Sequence, residues 1–125
     1  MKRIYPVFVP PEHIKEDYME HSEVIDWCYK NLMDSSSSAL ILNLEDLEIL
    51  EKSQVLNILN DVIFGIVSEG ENDWLISAED KLEVLKRWES YYSTLDNGRV
   101  KELLQKLIKL LKKSITTNAN MYFYF

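Results

Sequence analysis

The chain has one cysteine, Cys28, only three glycines and three prolines, and no long apolar run. A lone cysteine excludes an internal disulfide framework and any zinc site built from several thiolates. So little Gly and Pro excludes collagen-like and low-complexity architectures. Without about 20 successive apolar residues, no segment reads as a membrane-spanning helix. Residues 1–3 are basic-ended and residues 4–9 apolar, which imitates a secretory start. That apolar stretch is short, contains Pro6 and stops at Pro10-Pro11 without a small-residue cleavage site, so a cytoplasmic protein is expected. Positive charge is also scarce. Fourteen Lys and Arg face 21 Asp and Glu, for a net charge of −7. Such a chain repels phosphate backbones and anionic lipid, so no direct contact with nucleic acid and no membrane association are expected.

What is present is enough for one core. With 46% hydrophobic residues in 125, the chain reads as a single globular domain over residues 1–125. Residues 4–9 are β-branched and aromatic and predict a short strand. From residue 12 to about 33, Ile14, Tyr18, His21, Ile25, Cys28 and Leu32 recur at spacings of four and three, predicting one long helix ended by a polar loop at residues 34–38. Residues 39–42 (ALIL) fit a strand or a helix start equally. Asn43, with Asp46 three residues on, predicts an N-cap for a helix carrying Leu44, Leu47 and Leu50. Ser53 predicts another, with Leu56, Leu59, Val62, Ile63, Ile66 and Val67 inward and Gly70 as its stop. Ser77 and Asp80 form a capping-box pattern for a helix burying Leu82, Leu85, Trp88, Tyr92 and Leu95. Residues 99–113 carry Leu103, Leu104, Leu107, Ile108 and Leu111 on one face. The tail MYFYF is too apolar to float free and is expected to dock beside residues 4–9. The expected fold is mainly α: a compact bundle of about five helices, with a minor β element from the N-terminal segment and a candidate contribution from the tail.

The charge is polarised. Residues 1–80 hold 17 acids and 5 bases, a net of −12, whereas residues 81–125 hold 4 acids and 9 bases, a net of +5. On the first predicted helix, Glu16, Glu20 and Glu23 surround Trp27 on the side away from the apolar stripe. Glu69, Glu71 and Asp73 precede Trp74 in the same pairing of carboxylate and indole. An aromatic ringed by acids is the composition of a hot spot for a basic partner, so these eight residues are the candidate partner-binding set.

No catalytic constellation is visible. Cys28 falls in an apolar stripe, where a thiol is usually inert. His13, Asp17 and His21 recur every four residues, but two helical turns rise about 12 Å, too far to share one metal ion. No cofactor, no metal and no enzymatic activity are expected. The leading expectation is an immunity protein or antitoxin that neutralises a cognate toxin, such as a nuclease, by covering its basic active site. The alternatives are a phage or mobile-element inhibitor that mimics nucleic acid, and a non-catalytic adaptor or structural subunit. The tail at residues 121–125 is the candidate surface for self-association.

Overall fold

The structure, a computed structural model, describes residues 3–33 and 37–125. In chain order the elements are β1 (Tyr5–Phe8), α1 (His21–Asn31), β2 (Ala39–Leu42), α2 (Leu44–Lys52), α3 (Val55–Ile63), β3 (Asn72–Leu75), α4 (Ala78–Thr94), α5 (Arg99–Thr117) and β4 (Met121–Tyr124). The strands form one antiparallel sheet in the order β2-β1-β4-β3. Mainly helical therefore holds, but a pure bundle does not. The ambiguous residues 39–42 pair with β1, and the tail pairs with β1 on one side and β3 on the other.

Alternation along the strands sorts side chains into two cores, because successive residues point to opposite faces of a sheet. Val7, Leu40, Leu42, Leu75, Met121 and Phe123 face α2–α5 in the larger core. Phe8, Ala39, Ile41, Trp74, Tyr122 and Tyr124 face α1 in the smaller one. The molecule is thus a three-layer sandwich, with one helix on one side of the sheet and four on the other. Trp88 is fully buried, and its indole N–H donates to the Val55 carbonyl at 3.0 Å, tying α4 to the start of α3. The tail cannot serve for self-association, since Met121, Tyr122, Phe123 and Phe125 are all buried in the sheet and its core. Among the described residues no helix is long and apolar enough to cross a membrane.

Three helices depart from the sequence pattern, each for a local reason. The first helix begins at His21 rather than residue 12. Residues 12–20 form turns instead, with Ile14 N–H donating to Pro11 O and Tyr18 N–H to Lys15 O, and Tyr18 is exposed. Glu20 is the helix N-cap, extended in conformation, and its N–H donates to the Glu23 carboxylate at 3.1 Å. The predicted loop at residues 34–38 lies partly outside the described residues, at 34–36.

The third helix stops at Ile63, because Phe64 takes a left-handed conformation (φ 54°), and Ile66 is then exposed. The inward face of α4 is Lys81, Val84 and Trp88, with Leu82 outside. Lys81 displaces the expected leucine because its Nζ donates to the Ala119 carbonyl at 2.7 Å, at the C-terminal end of α5, where a cation is favoured. Burial lowers the Lys81 pKa. The caps at Asn43 and Ser77 form as the sequence indicates, accepting the Asp46 and Asp80 N–H groups at 2.8 and 3.1 Å. The inward face of α5 is also as read.

Candidate functional site

The polarity of the sequence is only partly cancelled by pairing. Among the described residues two ion pairs join the acidic and basic parts: Asp46 with Arg99, and Asp61 with Arg87. Glu83, Glu102 and Glu89 pair within the C-terminal part, with Arg87, Arg99 and Lys112. The Glu16 carboxylate lies 3.2 Å from His21 Nδ1. Among the described residues, the carboxylates outside these pairs, apart from Asp96, all come from residues 1–80. Since charge in contact with water is uncompensated there, the N-terminal part sets the negative field.

The eight residues singled out by the sequence have different fates. Glu20 and Glu23 are exposed at the start of α1, and Asp26 continues their spacing of three. Glu69 and Glu71 are exposed on either side of Gly70, a turn residue at φ 84° whose N–H donates to Phe125 O at 2.9 Å. Asp73 is half-buried; its carboxylate accepts the Trp74 N–H at 2.8 Å.

Glu16, Trp27 and Trp74 are engaged inside the molecule. The Glu16 carboxylate accepts the Tyr122 hydroxyl at 2.6 Å and the Asn120 amide at 3.3 Å, and sits 3.2 Å from His21 Nδ1. Burial pushes its pKa up, but the hydrogen bonds from Tyr122 and His21 outweigh this and hold it below the usual glutamate range. A carboxylate only accepts, so His21 donates from Nδ1, and a neutral ring then accepts from the Tyr124 hydroxyl at Nε2. The Trp74 ring lies against His21 at 4.4 Å between centroids, and Trp27 meets His13 edge-on at 5.9 Å. Both indoles pack on the smaller core, and the Glu16 bonds to Tyr122 and Asn120 tie residues 12–20 to the sheet.

A second row of acids went unremarked in the sequence although its spacing is plain. Glu45, Glu48 and Glu51 recur every three residues on α2, outside the buried Asp46, Leu47 and Leu50. This helix starts at the end of the sheet where Tyr5, Leu42, Asn72 and Phe125 meet. Glu69 reaches the same place. The Tyr5 hydroxyl donates to Glu69 at 3.3 Å, and its pKa is raised by burial and by Glu69, against the opposing pull of Arg3, with Glu48 adding to the rise. Glu51 and residues 65–68 line one shallow groove. The α2 row and the Glu69–Glu71 turn thus form a continuous acidic end of the molecule. Among the described residues no three His, Cys, Asp or Glu side chains converge as a metal site.

No known family model matches this chain. A curated relative does: the DNA mimic protein DMP12 of Neisseria meningitidis serogroup B is 28% identical over 113 residues, covering 85% of each chain. The solved structure of Neisseria DNA mimic protein DMP12 superposes with a TM-score of 0.72, covering 98% of this chain and 100% of that one, at 16% identity. The fold is shared. Both relatives are named as DNA mimics and neither as an immunity protein or antitoxin. The expectation of a toxin inhibitor with a toxin partner is therefore corrected, and the names agree better with the alternative of a nucleic-acid mimic. Composition alone could not separate the two, because a nuclease site and a DNA-binding surface attract the same negative charge.

Proposed function

We propose that this chain is a DNA mimic that occupies the DNA-binding surface of a DNA-binding protein. The observation that carries the reading is the pair of uncompensated carboxylate rows: Glu20, Glu23 and Asp26 along α1, and Glu45, Glu48 and Glu51 along α2. Acids three residues apart on a helix rise about 4.5 Å per step. One strand of duplex DNA presents a phosphate about every 3.4 Å of axis. Lysines and arginines spaced for phosphates can therefore meet such a row with small side-chain adjustments. Glu69 and Glu71 extend the α2 row. The relative's name supports this reading, and it makes the chain a binding protein without chemistry of its own.

The test is displacement. A labelled DNA duplex is bound to each of a panel of purified DNA-binding proteins, and the chain is titrated in. Displacement is expected for at least one member, and it should weaken in the Glu45→Gln/Glu48→Gln/Glu51→Gln variant. Three solvated carboxylate contacts at about 0.3–1 kcal/mol each amount to roughly a 5- to 150-fold loss of affinity. If the chain displaces duplex from no member, or the triple variant displaces as well as the parent, the reading fails.

A further inference from the structure

Phe64 is 96% exposed, an extreme value for an aromatic side chain in a molecule that buries Phe8, Phe123 and Phe125 almost completely. Its backbone is left-handed (φ 54°, ψ 41°), closing α3 through its N–H to the Asn60 carbonyl. A bulky residue there is disfavoured by about 1–2 kcal/mol, and glycine is the usual occupant of such a helix-ending position. A glycine is adjacent but does not take the role. Gly65 keeps φ outside the left-handed region and lies against Asp73, where a Cβ would come within 2.7 Å of Oδ2. The turn thus places an aromatic where glycine would be easier and directs it into solvent. Ile66, two residues on, is 70% exposed.

The surroundings are apolar and acidic together. Phe64 and Leu82 line a groove of about 570 Å³ with Asp61, Glu79, Asp80 and Glu83. Lys86 and Arg87 line it too; Arg87 holds Asp61 and Glu83, and among the described residues Glu79 and Asp80 take part in no ion pair, so four carboxylates face two cations. On the other side, Ile66 shares a groove with Glu51, the last member of the α2 row. The apolar turn is therefore flanked by uncompensated carboxylates on both sides. Such a surface fits a protein with an apolar cleft set among lysines and arginines; the carboxylates disfavour an anionic bilayer or a polynucleotide.

We infer that Phe64 and Ile66 form an apolar anchor that enters a cleft of the DNA-binding partner, beside the cations that the carboxylate rows engage. The inference rests on the DNA-mimic reading and adds a selectivity element to it. Phosphate-like charge alone suits every DNA-binding protein, whereas an exposed phenyl ring is something a DNA duplex does not present. The anchor selects partners that have a cleft for it.

The test uses Phe64→Asn, because asparagine tolerates the left-handed conformation better. The variant should be as stable as the parent or more so, with Tm rising by roughly 2–4 °C. Its affinity for the panel members that the parent binds should fall at least tenfold, while binding to polylysine, a purely cationic probe, is unchanged. The dependence of panel affinity on salt should keep its slope. Equal panel affinity for parent and variant would overturn the anchor and leave the mimic reading standing. An equal loss toward polylysine, or a lower Tm, would overturn it by showing a general structural defect. If no panel member binds the parent, the mimic reading fails and the anchor with it.

Discussion

Replacing Asp46 by asparagine removes one negative charge from an almost isosteric side chain. Asp46 is 8% exposed at its side chain and accepts Arg99 Nε at 2.9 Å and a terminal guanidinium nitrogen at 3.0 Å, a two-pronged bond that fastens α2 to the start of α5. The Arg99 hydrogen bonds outweigh burial and hold the Asp46 pKa below its usual value. Charge-assisted hydrogen bonds contribute about 1.5–3 kcal/mol each. Because Arg99 is 44% exposed, water partly replaces what is lost, and about 2 kcal/mol is expected for the substitution.

At about 2.1 cal/mol/K per residue, unfolding a chain of this length carries roughly 0.26 kcal/mol/K. The loss then corresponds to a Tm about 8 °C lower at pH 7. A depressed carboxylate pKa contributes stability above the unfolded value near 3.9 and loses it as pH falls through the folded value. Parent and Asp46→Asn should therefore differ fully at pH 7 and converge as pH falls below 4. Thermal unfolding followed by circular dichroism across pH 2.5–7 reads both. A gap that persists undiminished at the acid end, or one below 2 °C at pH 7, would refute the assignment of stability to this charge.

Two further outcomes follow from groups at the smaller core. Burial pushes the Cys28 thiol up to about 12, so it should resist a thiol reagent at pH 8 in the folded protein and react at the ordinary rate in denaturant; rapid labelling of the native chain would contradict the packing of α1 on the sheet. Glu16→Ala removes the acceptor shared by Tyr122, Asn120 and His21 and should loosen residues 12–20, seen as earlier proteolytic cleavage within them at a cost of about 1–3 kcal/mol. Unchanged cleavage would mean that the two indoles alone hold the segment.

The inward face of α5 was legible because five leucines and isoleucines repeat at helical spacing with lysines opposite, and nothing else competes for that face. The phase of α4 was not. The pattern favours Leu82 inside and Lys81 outside, and only the Ala119 carbonyl, contributed from 38 residues away, reverses them. The start of α1 was hidden for a similar reason, since two Glu16 partners, Asn120 and Tyr122, lie more than 100 residues away, just before and on β4. Of the candidate acids, Glu20, Glu23, Glu69 and Glu71 are exposed, whereas the indoles beside them in sequence, Trp27 and Trp74, pack on the smaller core. The α2 row has no aromatic neighbour in sequence, so the pairing of carboxylate with indole does not reach it, although its spacing of three residues is plain. Phe64 could not be recognised as exposed, because the apolar pattern continues through Ile66 and Val67 and only the left-handed turn at Phe64 ends the helix early.

The position of β4 between β1 and β3 has a kinetic consequence. β1 meets β2 across a gap of about 30 residues, whereas Val7 and Phe123 meet across more than 110. Loop-closure entropy scales with the logarithm of length, so the second pairing costs only about 1 kcal/mol more. Its effect lies in sequence: β3 pairs with β4 alone, and neither strand can join the sheet until β4 reaches β1. The β1–β2 pair and the contacts among α3, α4 and α5 can form early, and insertion of β4 then completes the sheet in one concerted step. Refolding should therefore show the environment of Trp88, in the helical layer, maturing before that of Trp74, on β3.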